Sequence, residues 1–370
     1  MCTLLNVDNR HIGKGPAWRR GLITLMLGIG AACPLLTVPT AEAQLRYAII
    51  DLGTLGGTYG EANAINLLGQ AVGGSATAGN SSVHAFLYSG GRMQDLGTLG
   101  GGSSEAYGIN AFGQIVGFSD TPADDGTHAF LYSAGKMHDL GTLGGTFSTA
   151  YGINNRGEVV GESTLPGDRI DHAFLYSGGR MKDLGTLGGS TSTAFAVNDF
   201  GEVVGVSGTV GDAAQHAFLY SKGRMQDLGT LGGAWSTAEG LNDLGQAVGH
   251  SFTTGGGRGG PEHAFLYVRE RMQDLGTLGG TVSEALGINN LGQAVGYAKT
   301  AGDWAIHAFI YSAGKMQDLG TLGGSWSTAS AVNDLGQVVG ASYTATDAES
   351  HPVIFTPDLG YPRIFSGKLP

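Results

Sequence analysis

Residues 137–177 read MHDLGTLGGTFSTAYGINNRGEVVGESTLPGDRIDHAFLYS, and almost every phrase of that stretch returns elsewhere in the chain. His172-Ala173-Phe174 has counterparts beginning at His84, His128, His216, His263 and His307, with a degraded copy at His351. DLGTLGG, here from Asp139, also begins at Asp51, Asp95, Asp183, Asp227, Asp274 and Asp318. The spacing is 44 residues, and once 47. Self-similarity at a fixed period of this size marks a repeat architecture, in which each unit needs its neighbours to bury its apolar faces.

The unit itself predicts four short strands. STAYGIN (148–154) runs into Asn155-Arg156-Gly157, then come the apolar Val159 and Val160, a polar loop, HAFLYS (172–177), a Gly-Gly turn and an MHDL-type stretch. Nothing in it has a helical period. Asn opening a turn and Gly taking its left-handed position suit a four-residue hairpin loop, and this Asn-x-x-Gly element recurs from Asn66 to Asn333. With strands named a (STAYGIN), b (GEVVG), c (HAFLYS) and d (MHDL), antiparallel four-stranded units repeated radially make a β-propeller. The expected fold is all-β, a seven-bladed β-propeller of 44-residue repeats over residues 44–356.

The strand count predicts how the ring closes. There are seven copies of a, b and c, but seven of d only if residues 47–52, ahead of the first a, are included. That N-terminal strand is left to pair with the last c strand around 353–355, which removes two exposed edges. Residues 357–370 contain Pro357 and Pro362 and read as a capping tail or a competitor for the same edge.

The succession A-x-G-I-N, G-Q-V-V-G, H-A-F-L-Y, D-L-G-T-L-G-G is similar to the HAF repeats of bacterial extracellular proteins, over about residues 47–355. The resemblance implies export and a propeller with a kelch-like strand order. It brings no characterised activity, so function has to be argued from sites.

The first 43 residues stand apart. Lys14, Arg19 and Arg20 precede an apolar run over 21–38, and Ala41-Glu42-Ala43 follows. This is the pattern of a secretory signal peptide cut after Ala43, giving a secreted or periplasmic chain that begins at Gln44. Gly28, Gly30 and Pro34 make the run marginal as a membrane anchor. Both cysteines, Cys2 and Cys33, lie in this leader, so the mature chain has no disulfide. Apolar residues make up 41% of the chain and Gly 67 of its 370 residues, so the glycines belong to turns in a structure able to build a core. The net charge of −11 becomes −13 without the leader. That argues against nucleic acid, and against an anionic membrane as partner of the mature chain. An extracellular glycan or protein is expected instead, bound by a monomer.

The repeated His and Asp are expected to be structural, since function needs asymmetry and they have none. Differences between units are more informative. The b–c loops vary strongly while the a–b and c–d turns barely change, so one face is uniform and the other diverse. Binding is expected on the diverse face. Its candidate stacking residues are Tyr59, Phe147, Trp235 and Trp326 in the d–a loops and Trp304 in a b–c loop, with plugging between blades as the competing role. At the start of strand a, Glu61, Glu105 and Glu284 replace the Thr of the other units. Clustered at the channel mouth, they would support an alternative function, a lyase or hydrolase acting on extracellular polysaccharide. No catalytic residue is assigned and no cofactor is expected. Asp124, Asp125, Asp168 and Asp171 could take Ca²⁺ weakly, without an EF-hand spacing.

Overall fold

A computed structural model describes residues 45–122, 126–254 and 260–358. The expected leader, Asp124 and Asp125, and the tail from 359 lie outside the described residues. Leu45–Pro370 forms one compact unit whose described residues make 28 strands and three single-turn 3-10 helices. In the first blade β2 (Gly56–Ile65), β3 (Ala71–Thr77), β4 (Val83–Ser89) and β5 (Arg92–Asp95) pair antiparallel in sequence order. The same order repeats to the seventh blade, whose outer strand comes from the other end of the chain. There β1 (Arg46–Asp51) runs antiparallel to Ser350–Asp358, with Ile49 opposite Phe355.

That last strand continues past its expected end, through Pro357 opposite Tyr47 to Asp358. Its neighbour Val338–Thr344 pairs no further than Phe355. By strand alternation the Pro357 nitrogen faces the side that this neighbour has left, so its missing N–H costs no ladder bond.

The core lies between blades as much as within them. The largest fully buried side chains are Phe86, Phe130, Phe174, Phe218, Phe265, Phe309 and Phe355. One apolar cluster joins Val72, Ala85 and Leu96 of the first blade to Ala106, Ile115 and Phe130 of the second. At the closure, Leu52, Val339 and Ile354 pack with Ala62, Ile65 and Phe86.

Polar links hold the blades in step. In six copies the Ala N–H of HAF donates to a Ser Oγ of the next blade, as Ala85 does to Ser104 at 2.9 Å. That Ser hydroxyl in turn donates to the Gly carbonyl of DLG, as Ser104 does to Gly97 at 2.6 Å. The repeated His have the structural role expected of them. Each Nδ1 lies 2.7–2.9 Å from the Asp of its own blade, and His351 reaches Asp51 across the closure. Every turn-opening Asn donates from Nδ2 to the main-chain carbonyl of the next one, and Asn333 completes the circle on Asn66 at 3.0 Å. Seven turn tips are thereby held at one level around the channel.

Candidate functional site

A bulge in every innermost strand builds the channel wall. In β2 the register slips between Ala62 and Ala64, leaving Asn63 unpaired, and the same slip recurs around the ring. A bulge turns its extra side chain out of the ladder. The seven extra residues are Asn63, Tyr107, Tyr151, Phe195, Glu239, Leu286 and Ser330, and all of them line a channel cavity of about 220 Å³. The Gly of VVG serves the same kink. A Cβ on Gly73 would collide with the carbonyl oxygen of Glu61, and one on Gly117 with that of Glu105.

These residues differ from blade to blade, so the wall is asymmetric. Its aromatic side runs across the second to fourth blades. Tyr107 stands 5.3 Å from Tyr151, and Tyr151 stands 5.2 Å from Phe195, between ring centroids. Phe118 extends the group at 5.9 Å from Tyr107. Glu162 joins it by accepting hydrogen bonds from the Tyr151 hydroxyl at 2.9 Å and from Thr193 Oγ1 at 2.6 Å.

Two carboxylate groups flank the aromatics. Glu61 and Glu105 lie within hydrogen-bond reach of each other, and Asn63 Nδ2 donates to Glu105 at 2.9 Å. Glu105 crosses to the first blade because Gly74 leaves room there; a Cβ on Gly74 would be 2.9 Å from its Cδ. Burial, then repulsion from Glu61, pushes Glu105 up to about 8. Tyr59 and Tyr107, beside this pair, are raised too, first by burial.

The structure separates Glu284 from Glu61 and Glu105. It belongs instead to a group in the fifth and sixth blades. His250 Nδ1 is 3.7 Å from Glu284 and its Nε2 is 3.6 Å from Glu262. Burial raises Glu239 to about 7, opposed by His250 and reinforced by Glu284. The sequence reading missed Glu239, His250, Glu162 and the aromatic bulge residues. Their signal was present, in the variable second position of A-x-G-I-N and in the residue after VVG.

The proposed stacking residues occupy blade seams. Tyr59, Trp235 and Trp326 pair by main chain with the c strand of the preceding blade, at Ser350, Gln215 and Ile306, and Phe147 bridges Thr127. Trp326 packs 5.0 Å from Tyr343, and Trp235 packs 6.4 Å from Phe252. Trp235 also borders a cleft of about 360 Å³ with Thr191, Asp212 and Gln215. Trp304 is different: it follows the 3-10 turn Ala301–Asp303 and is 88% exposed.

The b–c loops are less diverse than they read. Five share a latch in which a left-handed Asn or Asp accepts the main-chain N–H of the d–a loop: Asn80 from Thr58, Asp168 from Thr146, Asp212 from Ser190, Asp303 from Thr281 and Asp347 from Ser325. Asp168 also accepts from Thr164 Oγ1 at 2.9 Å, and the hydrogen bond from the Thr146 N–H heads the causes that lower its pKa. That carboxylate is committed to the loop, and Asp171 lies apart in the strand Asp171–Ser177. Among the described residues no group of three or more His, Cys, Asp or Glu is placed to hold a metal.

No family profile matches the chain, and no curated protein sequence does. Solved structures do. The β-propeller domain of the Trilobed protease from Pyrococcus furiosus, described as having an open velcro topology, aligns with a TM-score of 0.52 at 10% identity, over 84% of this chain and 98% of its own. Oligogalacturonate lyase from Vibrio parahaemolyticus aligns with a TM-score of 0.53 at 9% identity, over 86% of this chain and 98% of its own. Acylaminoacyl peptidase from Pyrococcus horikoshii aligns with a TM-score of 0.51 at 10% identity, over 82% and 52%. At such identities the likeness is one of fold, and the chain is a β-propeller.

Proposed function

We propose that this propeller is an exported, non-enzymatic binding module of the HAF-repeat kind that takes an extracellular glycan at the b–c and d–a mouth of its channel. The observation that carries the proposal is the asymmetric wall. On a scaffold whose His, Asp, Asn and Gly repeat in every blade, the bulge residues place Tyr107, Tyr151 and Phe195 side by side, next to Glu105 and Glu162. Aromatic faces beside hydrogen-bond acceptors suit sugar rings, which present C–H faces and hydroxyl edges together. Trp304 offers a further exposed ring on the same side of the disc.

The alternative, cleavage of polysaccharide by Glu61 and Glu105, has the pairing of these two carboxyl groups in its favour. Its weakness as a hydrolase is distance. Glycoside hydrolysis needs carboxyls roughly 5 Å apart or more, to leave room for the anomeric carbon or a water. Glu61 and Glu105 lie within hydrogen-bond reach of each other, closer than that spacing.

A glycan and protein array with the exported chain tests the reading. Capture of glycans that is lost in Tyr107→Ala supports it. Capture of proteins alone overturns the glycan assignment, and glycan cleavage that vanishes in Glu105→Gln overturns the non-enzymatic one. N-terminal sequencing tests export: the secreted or periplasmic chain should begin at Gln44, and a cytoplasmic chain beginning at Met1 would refute it.

A further inference from the structure

The face opposite the proposed glycan mouth has a pattern of its own. Ile65 pairs with Ala71, Ala71 with Tyr88 and Tyr88 with Met93, so the a–b and c–d turns lie at the same end of the blade. The third residue of the a–b turn is Leu68, Phe112, Phe200, Leu244, Leu291 or Leu335 in six blades and Arg156 in one. Those six apolar side chains are 64–76% exposed. The turn itself does not require them. The turn-opening Asn Oδ1 accepts the main-chain N–H of this residue, as in Leu68 to Asn66 at 3.0 Å, whatever its side chain. Because the circle of Asn hydrogen bonds holds the tips level, the exposed Leu and Phe form a flat ring. Monomeric proteins seldom expose large apolar side chains in so regular an array without a partner.

Outside this ring lies a second one. The c–d turns bring Arg92, Lys136, Arg180, Arg224, Arg271 and Lys315 to the rim of the same face, all exposed. Among the described residues none of these six is in an ion pair. Each d strand that carries such a base at this end carries the Asp of DLG at the other, as in Arg92–Asp95. Along the d strands the two faces therefore differ in charge, although exposed Glu270 interrupts the basic rim beside Arg271 and Glu158 and Glu202 follow two of the a–b turns. The value of −13 without the leader, which argued against an anionic surface, is a sum over both.

We propose that this face docks on an anionic phospholipid bilayer, with the apolar tips entering the interface and the basic rim meeting the headgroup phosphates. Flatness suits a bilayer, and the rim supplies the complementary charge. A second copy set face to face would bring one basic rim against another, which is unfavourable. Asp199, Asp243 and Asp334 stand inside the ring at the channel mouth, where each accepts an N–H from the preceding turn. Docking this way points the asymmetric mouth away from the bilayer, yet it stands or falls independently of what that mouth binds.

The unit Leu45–Pro370 holds every described strand and core cluster, so it is suited to a flotation assay without the leader. Vesicles of phosphatidylcholine alone are compared with vesicles of phosphatidylcholine and phosphatidylglycerol in equal parts. The protein should float with the anionic vesicles and not with the neutral ones. The triple variant Phe112→Ser, Phe200→Ser, Leu244→Ser should lower binding by at least ~10-fold, as should Arg92→Glu, Arg180→Glu, Arg224→Glu. Val210→Ser, which removes an exposed apolar side chain from a b–c loop, should leave binding unchanged. All substituted positions are exposed, so circular-dichroism melting should match the wild type. Failure to float with anionic vesicles overturns the proposal, as does binding that survives both triple variants. A dimer in sedimentation that the apolar triple variant converts to monomer, without vesicle binding, would assign the face to a second copy instead.

Discussion

Gly60 and Pro352 meet across the seam where the last blade closes on the first, and a Cβ on Gly60 would lie 2.9 Å from Pro352 Cδ. At the six other seams the position of Pro352 is an Ala whose N–H donates to a Ser at the position of Gly60. The closing seam has lost donor and acceptor together. Pro has no N–H to offer, and Gly leaves neither a stranded hydroxyl nor a clash.

A double-mutant cycle tests that coupling. Gly60→Ser alone should crowd Pro352, and Pro352→Ala alone should leave a buried N–H without its acceptor, each costing about 1–3 kcal/mol. Together they should rebuild the link found at the other seams, so the double variant should recover at least ~1 kcal/mol relative to the sum of the singles. Urea unfolding measures it, and strict additivity would mean the two residues act separately.

Closure by β1 gives a second expectation. Its six residues cover six of the nine residues on the edge of Ser350–Asp358, from Asp51 opposite Val353 to Arg46 opposite Asp358. A chain lacking residues 46–51 should aggregate or lose cooperative unfolding, because that edge is then free to pair with another chain. A stable monomer with an unchanged melt would show that another segment can close the ring.

Burial and Glu61 raise Glu105 from 4.5 to about 8, so the folded state holds a proton there that the unfolded state has released. The stabilising contribution of the protonated form is complete below about pH 4 and is lost as pH rises through 8. Glu105→Gln keeps the neutral shape at every pH. It should raise the melting temperature by roughly 3–6 °C at pH 8 and change it little at pH 4. Equal shifts at both pH values would remove the titration as the cause.

The two kinds of aromatic should separate by melting. Trp326 is half-buried against Tyr343 and tied to Ile306, so Trp326→Ala should cost about 2–4 kcal/mol. Trp304 is 88% exposed, so Trp304→Ala should stay within about 0.5 kcal/mol and, if it contacts ligand, weaken binding alone. A large loss of stability in Trp304→Ala would place it among the packing residues.

Repetition made the fold legible. A 44-residue phrase bearing four strands and its own turn chemistry fixes the blade, and a spare d strand ahead of the first a predicts how the ring closes. The seven-fold occurrence of His and Asp pointed to the structural pairs now seen, as between His84 and Asp95. These inferences need only local geometry and counting, which a sequence contains.

Tertiary structure decided which variable residues meet. Glu61, Glu105 and Glu284 occupy one position of the repeat, yet Glu105 reaches Glu61 through the gap at Gly74 while Glu284 lies against His250. Tyr107 and Glu239 reach the channel only because a bulge breaks the two-residue alternation that a strand pattern assumes. The charge difference between the two ends of the d strands likewise vanishes in a composition and appears once every Arg or Lys and every Asp of those strands is stacked in the same direction. The sequence determined the unit and the number of its copies. Which side chains converge depends on ring closure and on voids between neighbouring blades, and both are properties of distances between residues far apart in the chain.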